Sequence, residues 1–165
     1  MGRIVAIASG DLLSTRPLNK YAVKLAKKQN PNVLFIGTAS QDAQEYRDIF
    51  TKEYNKLGCE VKCLCLMSAP SEDTINDLLV WADIIYVGGG DTVFMMQMWK
   101  KYGVDKKLKE IYEKDTAVLT GISAGAICWF CCGHSDSQSF SKKSEWEYCW
   151  ADGLGIVPMA FCRSR

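Results

Sequence analysis

One short stretch in the second half of the chain constrains the fold more than any other. Residues 117–126 form an apolar, β-prone run that leads into Gly-x-Ser-x-Gly, and a helix-prone run follows over 124–130. This order predicts a sharp strand-to-helix turn that carries a nucleophilic serine, Ser123, at its apex. Gly121 and Gly125 leave room for a strained backbone on either side of that serine. The alternative interpretation is an ordinary turn between a strand and a helix.

The rest of the chain alternates between short apolar runs and helical periodicity. Including the run that ends at the serine, strands are predicted at 3–8, 33–36, 61–66, 84–87 and 117–122. Helices are predicted at 17–28, 42–57, from 71 onwards, 93–102 and 106–113. Such alternation predicts one α/β domain with a doubly wound, mostly parallel sheet and helices on both faces. The polar segment 133–144 predicts a surface loop, and 148–161 combines strand and turn signals.

Composition and charge exclude several classes of protein. The net charge is +1 and no long basic run occurs, which disfavours nucleic acid and anionic membrane surfaces as partners. No apolar run approaches the roughly 20 residues needed to cross a bilayer. Residues 1–7 resemble a strand rather than a signal peptide, so the sequence predicts a cytoplasmic protein.

The cysteines give little support to metal or redox chemistry. Cys63 and Cys65 lie in a predicted strand and Cys128 in a predicted helix, so all three are expected to be small core residues. Cys128 and Cys131 match Cys-x-x-C, but a thioredoxin-like pair places its reactive cysteine at a helix N-terminus, which here belongs to Ser123. With a single histidine in the chain, no metal and no cofactor are predicted.

A second candidate motif is the run Gly-Gly-Gly-Asp-Thr at 88–92, between a strand and a helix. Consecutive glycines let backbone N–H groups approach a ligand closely. One use is half of an oxyanion hole, with the N–H of Ala124 as the other half. Phosphate or nucleotide binding at the helix N-terminus is a rival use, although the run lacks the Lys-Ser/Thr of a P-loop. A permissive turn without chemistry is the third alternative.

The two motifs, at 87–92 and 121–126, together resemble the dipeptidase E (aspartyl dipeptidase) and cyanophycinase-like serine peptidases. The resemblance extends from the first strand to about Cys162 and implies a class I glutamine amidotransferase-like fold, related in type to flavodoxin. It implies hydrolysis of short peptides through an acyl-enzyme on Ser123, with a preference for N-terminal aspartate. Glutamine amidotransferases carry cysteine at the elbow, so the serine argues against glutaminase chemistry.

The same resemblance suggests roles for further residues. Gly89 or Gly90 and Ala124 would donate hydrogen bonds to the oxyanion. Asp136 lies where the family carries an acidic residue implicated in activity, and the alternative is a solvated loop carboxylate.

The sequence departs from the family pattern after residues 157–162. Family members continue with Pro-His, which supplies the general base, and then with further strands, whereas this chain continues with Arg163, Ser164 and Arg165. Because a serine without its base is a weak nucleophile, the expectation is an impaired peptidase or a non-catalytic relative that binds a small ligand or a partner. His134 is the candidate replacement base, with a surface-loop imidazole as the alternative. Missing strands would expose a sheet edge that a homo-oligomer could cover.

Overall fold

A sheet of five parallel strands forms the centre of the computed structural model, which describes residues 1–142 and 144–162. The 163–165 ending, on which the sequence departs from the family, lies outside the described residues. The strand order is β1-β5-β4-β2-β3. The strand bounds are β1 (Arg3–Ile7), β2 (Asn32–Ile36), β3 (Glu60–Leu64), β4 (Ile84–Val87) and β5 (Val118–Ile122). The predicted mostly parallel α/β sheet is therefore confirmed.

Helices cover both faces of this sheet. Their bounds are α1 (Arg16–Leu25), α2 (Gln44–Lys56), α3 (Glu72–Trp81), α4 (Thr92–Tyr102), α5 (Val104–Lys114) and α6 (Ala124–Ile127). Successive residues of β2 alternate between the two cores: Val33 and Phe35 pack towards α1 and α2, and Leu34 and Ile36 pack towards the helices of the opposite face. Strands buried on both sides are continuously apolar, which explains why the sequence signal for them is strong. Within the described ranges, every helix is too short or too polar to cross a membrane.

A second, smaller sheet follows α6 and corrects two expectations. It contains β6 (Phe130–Ser135), β7 (Cys149–Asp152) and β8 (Val157–Phe161), in the order β7-β6-β8. The helix expected over 124–130 ends at Ile127, and the loop expected over 133–144 contains the end of β6 and a 3₁₀ turn at Ser137–Phe140.

The physical reason for the early helix end is tertiary hydrogen bonding. The carbonyl of Cys128 accepts from the N–H of Leu154 at 2.7 Å, and the carbonyl of Trp129 accepts from Val157 at 2.9 Å. These bonds use the carbonyls that a longer helix would need for its next turn, so pairing with the distant segment overrides the local helix propensity.

A buried carboxylate lies near the carboxyl end of β2. Asp42 is 7% exposed, and one carboxylate oxygen accepts the N–H of Met67 at 2.8 Å. The other oxygen has no hydrogen-bond partner among the described residues. Burial raises the pKa of Asp42 above its ordinary 3.8, although the Met67 N–H and the nearby Arg47 act in the opposite direction.

Replacing this carboxylate by an amide is expected to stabilise the protein at neutral pH. Since the folded-state pKa is raised, the charged form is disfavoured by folding, and stability increases as pH falls through that pKa. Asp42→Asn keeps an oxygen for the N–H of Met67 and suits the φ of 55° found here. Urea unfolding should therefore show the variant to be more stable at pH 7, with an advantage that shrinks towards pH 4.

Asp48, an exposed carboxylate on α2, provides the matched control. Asp48→Asn should change the unfolding free energy by less than about 0.5 kcal/mol at either pH. A loss of stability in Asp42→Asn at pH 7, or a difference that does not vary with pH, would contradict the account of Asp42.

Candidate active site

Ser123 lies in the turn between β5 and α6 with φ 55° and ψ −112°. Its N–H donates to the carbonyl of Ile7 at 3.0 Å, and its own carbonyl accepts from Ala126 at 2.8 Å. A positive φ is uncommon for a residue with a side chain and persists only where neighbouring structure enforces it. The predicted order of strand, serine and helix is confirmed, with the serine at the carboxyl edge of the sheet.

The two glycines of the motif allow the backbone to pack closely around this turn. A Cβ on Gly125 would lie 2.0 Å from the carbonyl oxygen of Val87. A Cβ on Gly121 would lie 2.4 Å from the carbonyl oxygen of Gly125 and 2.6 Å from that of Val87. Any side chain at either position would push α6 away from β4, and the glycines thereby set the position of Ser123.

The glycine run after β4 lies next to the serine. A Cβ on Gly89 would stand 3.4 Å from the Cβ of Ser123, an ordinary contact distance. The N–H of Gly89 donates to the hydroxyl of Tyr46 at 3.3 Å. The N–H groups of Gly90 and Ala124 have no acceptor among residues 1–142 and 144–162. Gly89 therefore approaches the serine most closely, while Gly90 and Ala124 carry the uncommitted donors.

The same loop is poorly suited to phosphate. Gly90 has φ +141°, and a Cβ there would lie 2.2 Å from the carbonyl oxygen of Ala39. The side chain of Asp91 accepts the N–H of Phe94 at 3.1 Å and so caps the N-terminus of α4. A carboxylate in this position repels an anionic phosphate where the helix would otherwise attract it. The geometry therefore disfavours the nucleotide-binding alternative.

Three side chains singled out in the sequence line one cleft: Ser123, His134 and Asp136. Tyr148 and Phe161 contribute to the same cleft, whose volume is about 10 Å³, roughly the space of one water molecule. His134 belongs to β6 rather than to a surface loop, because residues expected to be irregular pair with β7 and β8. The structure thus brings the candidate nucleophile, base and acid into one place.

The ring of His134 rests on an aromatic surface. It stacks on Tyr148 with ring centroids 5.0 Å apart and an interplanar angle of 28°, and it lies 5.4 Å from the Trp150 ring. These contacts restrict the orientation of the imidazole while leaving the residue exposed.

The side chains of residues 134–137, at and just after the end of β6, fall into two alternating sets. His134 and Asp136 line the cleft, whereas Ser135 and Ser137 are buried. The hydroxyl of Ser135 lies 3.0 Å from that of Thr92, at the start of α4, and 2.8 Å from that of Ser137. This hydroxyl network attaches the strand that carries the candidate base to the helix that follows the glycine run. No local sequence signal indicates this network, because residues 134–137 are all polar and therefore show no apolar/polar alternation.

Ser137→Ala is expected to destabilise the protein by about 1–2 kcal/mol. The hydroxyl of Ser137 accepts the N–H of Val93 at 3.2 Å and bonds to Ser135, so its removal leaves the Val93 N–H without that acceptor and takes one bond from Ser135, which keeps its bond to Thr92. Ser139 makes no side-chain hydrogen bond among the described residues and gives the matched control. Urea unfolding of Ser137→Ala and Ser139→Ala checks the difference, and equal effects would contradict the role of the network.

The cysteines show no sign of a paired site. All eight are free thiols. Cys128 is buried and donates to the carbonyl of Gly125 at 3.4 Å, whereas Cys131 is exposed. Burial raises the pKa of the Cys128 thiol well above its ordinary value, which makes it unreactive. Cys63 and Cys65, expected in the core, are only half-buried. In the part of the chain that the structure describes, no three His, Cys, Asp or Glu side chains are grouped to hold a metal ion.

Comparison with known proteins finds relatives that match nearly the whole length of this chain. The model of Peptidase family S51 matches residues 4–163. The uncharacterized peptidase YgaJ of Bacillus subtilis (strain 168) is 38% identical over 168 residues, a match that covers 98% of this chain and 68% of that protein. The chain therefore spans about two thirds of the length of this relative.

Two solved structures share the fold. One is a putative peptidase E protein from Listeria monocytogenes EGD-e, with a TM-score of 0.71 and 24% identity over 95% of this chain and 76% of that chain. The other is a peptidase from an acI-B1 actinobacterium, with a TM-score of 0.72 and 20% identity over 96% of this chain and 66% of that chain. The fold, the family model and the identity to YgaJ agree with the resemblance found in the two motifs and support a peptidase function. The chain belongs to Peptidase family S51.

Proposed function

We propose that this protein is a serine peptidase that hydrolyses short peptides through an acyl-enzyme on Ser123. The observation that carries the proposal is the backbone of Ser123, whose φ of 55° holds the residue at a sheet edge beside Gly89. The unbonded N–H of Ala124 follows directly in the chain, as an oxyanion donor should. Membership of a peptidase family gives the reaction class.

In the proposed reaction the hydroxyl oxygen of Ser123 attacks the peptide carbonyl while His134 takes the hydroxyl proton. The carbonyl oxygen becomes an oxyanion that receives hydrogen bonds from the N–H groups of Ala124 and of Gly90 or Gly89. His134 then protonates the leaving amine as the C–N bond breaks, which leaves an ester on the serine. A water molecule, deprotonated by His134, attacks that ester and restores the hydroxyl. Asp136, in the same cleft, stabilises the imidazolium electrostatically.

A non-catalytic relative that uses the same pocket to bind a ligand is the second candidate. The small cleft counts against turnover, because about 10 Å³ over Ser123 admits no peptide unless Tyr148 or Phe161 moves, and a bound ligand would need the same movement. A base must also come within about 3 Å of the serine hydroxyl, and the stacking of His134 on Tyr148 restricts such an approach.

A fluorophosphonate reagent distinguishes the two candidates. The peptidase proposal predicts a single covalent adduct by intact mass, mapped to Ser123 by peptide mass analysis. His134→Ala should slow labelling by about 10²-fold or more, because the serine loses its base. Tyr148→Phe keeps the stacked ring and serves as the control. A folded protein that takes up no reagent would favour the ligand-binding candidate, and an adduct on another residue would overturn the assignment of Ser123.

A further inference from the structure

The glycine run after β4 uses most of its backbone N–H groups to hold its own position. Two of them donate to backbone carbonyls, that of Gly88 to Ile36 at 3.0 Å and that of Asp91 to Ala39 at 2.8 Å. The N–H of Gly89 donates to a side chain instead, the hydroxyl of Tyr46. Within the described ranges, the N–H of Gly90 is the one member of residues 88–91 that has no acceptor. Because N–H groups away from bulk water normally have a partner, the half-buried Gly90 is the residue of this run that can bond a ligand.

Tyr46 reaches the run from α2, on the face of the sheet that also carries Phe35. The two rings meet edge to face, with centroids 5.0 Å apart and an interplanar angle of 64°. A Cβ on Gly88 would lie 2.9 Å from the Cε1 atom of Tyr46, so the tyrosine ring packs directly against the backbone of the run. Packing on both sides therefore fixes the ring and, with it, the position of the hydroxyl that receives the N–H of Gly89.

The hydroxyl of Tyr46 keeps one charge state near neutral pH. Burial raises its pKa above the ordinary 10.0, and the hydrogen bond from the N–H of Gly89 acts in the opposite direction. The group is therefore uncharged between about pH 5 and pH 8, and its bond to Gly89 does not change over that range.

The residue that Tyr46 holds is the one beside the candidate nucleophile. A Cβ on Gly89 would stand 3.4 Å from the Cβ of Ser123 and 3.5 Å from the carbonyl oxygen of Ile122. Glycine has a wide choice of backbone conformations, so its peptide groups keep one direction only where an outside contact fixes them. An oxyanion donor must be aligned before the charge develops. The contact with Tyr46 supplies such a constraint immediately before Gly90.

We propose that Tyr46 is a positioning residue for the oxyanion site: its hydroxyl holds the N–H of Gly89, and the N–H of Gly90 is left to serve together with that of Ala124. The inference rests on the proposed function, since an oxyanion forms only if Ser123 attacks a carbonyl. It assigns to Gly90 a role that the motif leaves open between Gly89 and Gly90.

Tyr46→Phe removes the hydroxyl and keeps the ring that packs on Phe35. It should lower kcat about tenfold for a short peptide that the unmutated protein hydrolyses and leave KM within about twofold, because a misaligned donor weakens binding of the transition state alone. Tyr54→Phe is the matched control on the same helix. Tyr54 is fully buried and its hydroxyl donates to Asn19 at 3.2 Å, away from the glycine run. This control should lose some stability and keep both kinetic constants.

A transition-state analogue separates positioning from general damage to the fold. A peptide boronic acid should bind Tyr46→Phe about tenfold more weakly than it binds the unmutated protein or Tyr54→Phe. The corresponding peptide amide, titrated by calorimetry into Ser123→Ala with and without Tyr46→Phe, should bind equally. An equal loss for both ligands would show a structural effect only and would overturn the inference.

Amide hydrogen exchange measured by NMR tests the contact without turnover. The N–H of Gly89 should exchange about tenfold or more slowly than that of Gly90, and Tyr46→Phe should remove this protection while Tyr54→Phe keeps it. Unchanged protection of Gly89 in Tyr46→Phe would contradict the contact. A higher kcat in Tyr46→Phe would also overturn the inference, since it would mean that the tyrosine withholds a useful donor.

The two proposals fail in different ways. An unmutated protein that shows neither hydrolysis nor fluorophosphonate labelling refutes the peptidase, and the oxyanion role of Tyr46 with it, whatever the exchange of Gly89. Hydrolysis that depends on Ser123 and is equally fast in Tyr46→Phe refutes the role of Tyr46 and leaves the peptidase standing.

Discussion

Ser123→Ala is expected to lower kcat/KM for a short peptide by at least about 10³-fold. Without the hydroxyl no acyl-enzyme forms, and only the oxyanion donors and substrate binding can assist attack by water. The side chain of Ser123 makes no capping hydrogen bond, so the free energy of unfolding should change by less than about 0.5 kcal/mol. Steady-state hydrolysis and urea unfolding of the same preparation test both statements.

Ser139→Ala provides the control for this loss of activity and should retain the unmutated rate. More than a tenth of the original kcat/KM in Ser123→Ala would contradict the assignment of the nucleophile. A loss of activity accompanied by unfolding would contradict the separate claim that the hydroxyl is dispensable for stability.

Gly125→Ala is expected to destabilise the protein by about 3 kcal/mol or more. The added Cβ would lie 2.0 Å from the carbonyl oxygen of Val87 and 2.6 Å from its carbonyl carbon. These are backbone atoms of a central strand, which cannot move aside as the end of a flexible side chain could. Because α6 must shift, Ser123 moves with it, and activity should fall along with stability.

Gly58→Ala separates the steric effect from the effect of backbone conformation. Gly58 has φ +81° but nothing within 4 Å of an added Cβ, so its cost should be about 1 kcal/mol from conformation alone. Chemical denaturation of the two variants measures the difference. If Gly125→Ala lowers the free energy of unfolding no more than Gly58→Ala does, α6 can move away from β4 without loss of stability, and the steric explanation is wrong.

The three central strands of the five-stranded sheet, β2, β4 and β5, were predictable because they are buried on both faces. Runs such as Ile84–Val87 are continuously apolar and are bounded by turn residues, so their length and position follow from sequence alone. Helix starts that have a local N-cap could also be predicted from the sequence. Ser71 precedes two acidic residues, which predicts an N-cap, and its hydroxyl accepts the N–H of Thr74 at 3.1 Å.

The second sheet was not predictable by the same reasoning. Its strands pair residues that are 14 to 28 positions apart in the chain, and Gly133 of β6 pairs with both Ala151 and Phe161. Local propensity instead favoured a helix through Phe130, and the polar composition after it favoured a loop. Long-range hydrogen bonds stabilise β6 in place of the expected helix and loop, and such bonds cannot be predicted from a local sequence pattern.

The candidate site was predicted in part. Ser123 and Gly89 were identified by motif, and the structure makes them neighbours. The contribution of Tyr46 was missed because it is an isolated aromatic residue whose role depends on what the fold places around it. The buried hydroxyls of Ser135 and Ser137 were missed for a different reason: the strand that ends at Ser135 and the 3₁₀ turn that begins at Ser137 were not expected.

A crystal structure of the protein with a peptide boronic acid tests the central claim most directly. The account predicts a covalent bond from the Oγ of Ser123 to a tetrahedral boron atom. One boronate oxygen should lie within about 3 Å of the N–H of Ala124 and of a donor from Gly89 or Gly90. A boronic acid bound without a bond to Ser123, or bonded there with its oxygens turned away from both donors, would contradict the assignment of this turn as the catalytic centre.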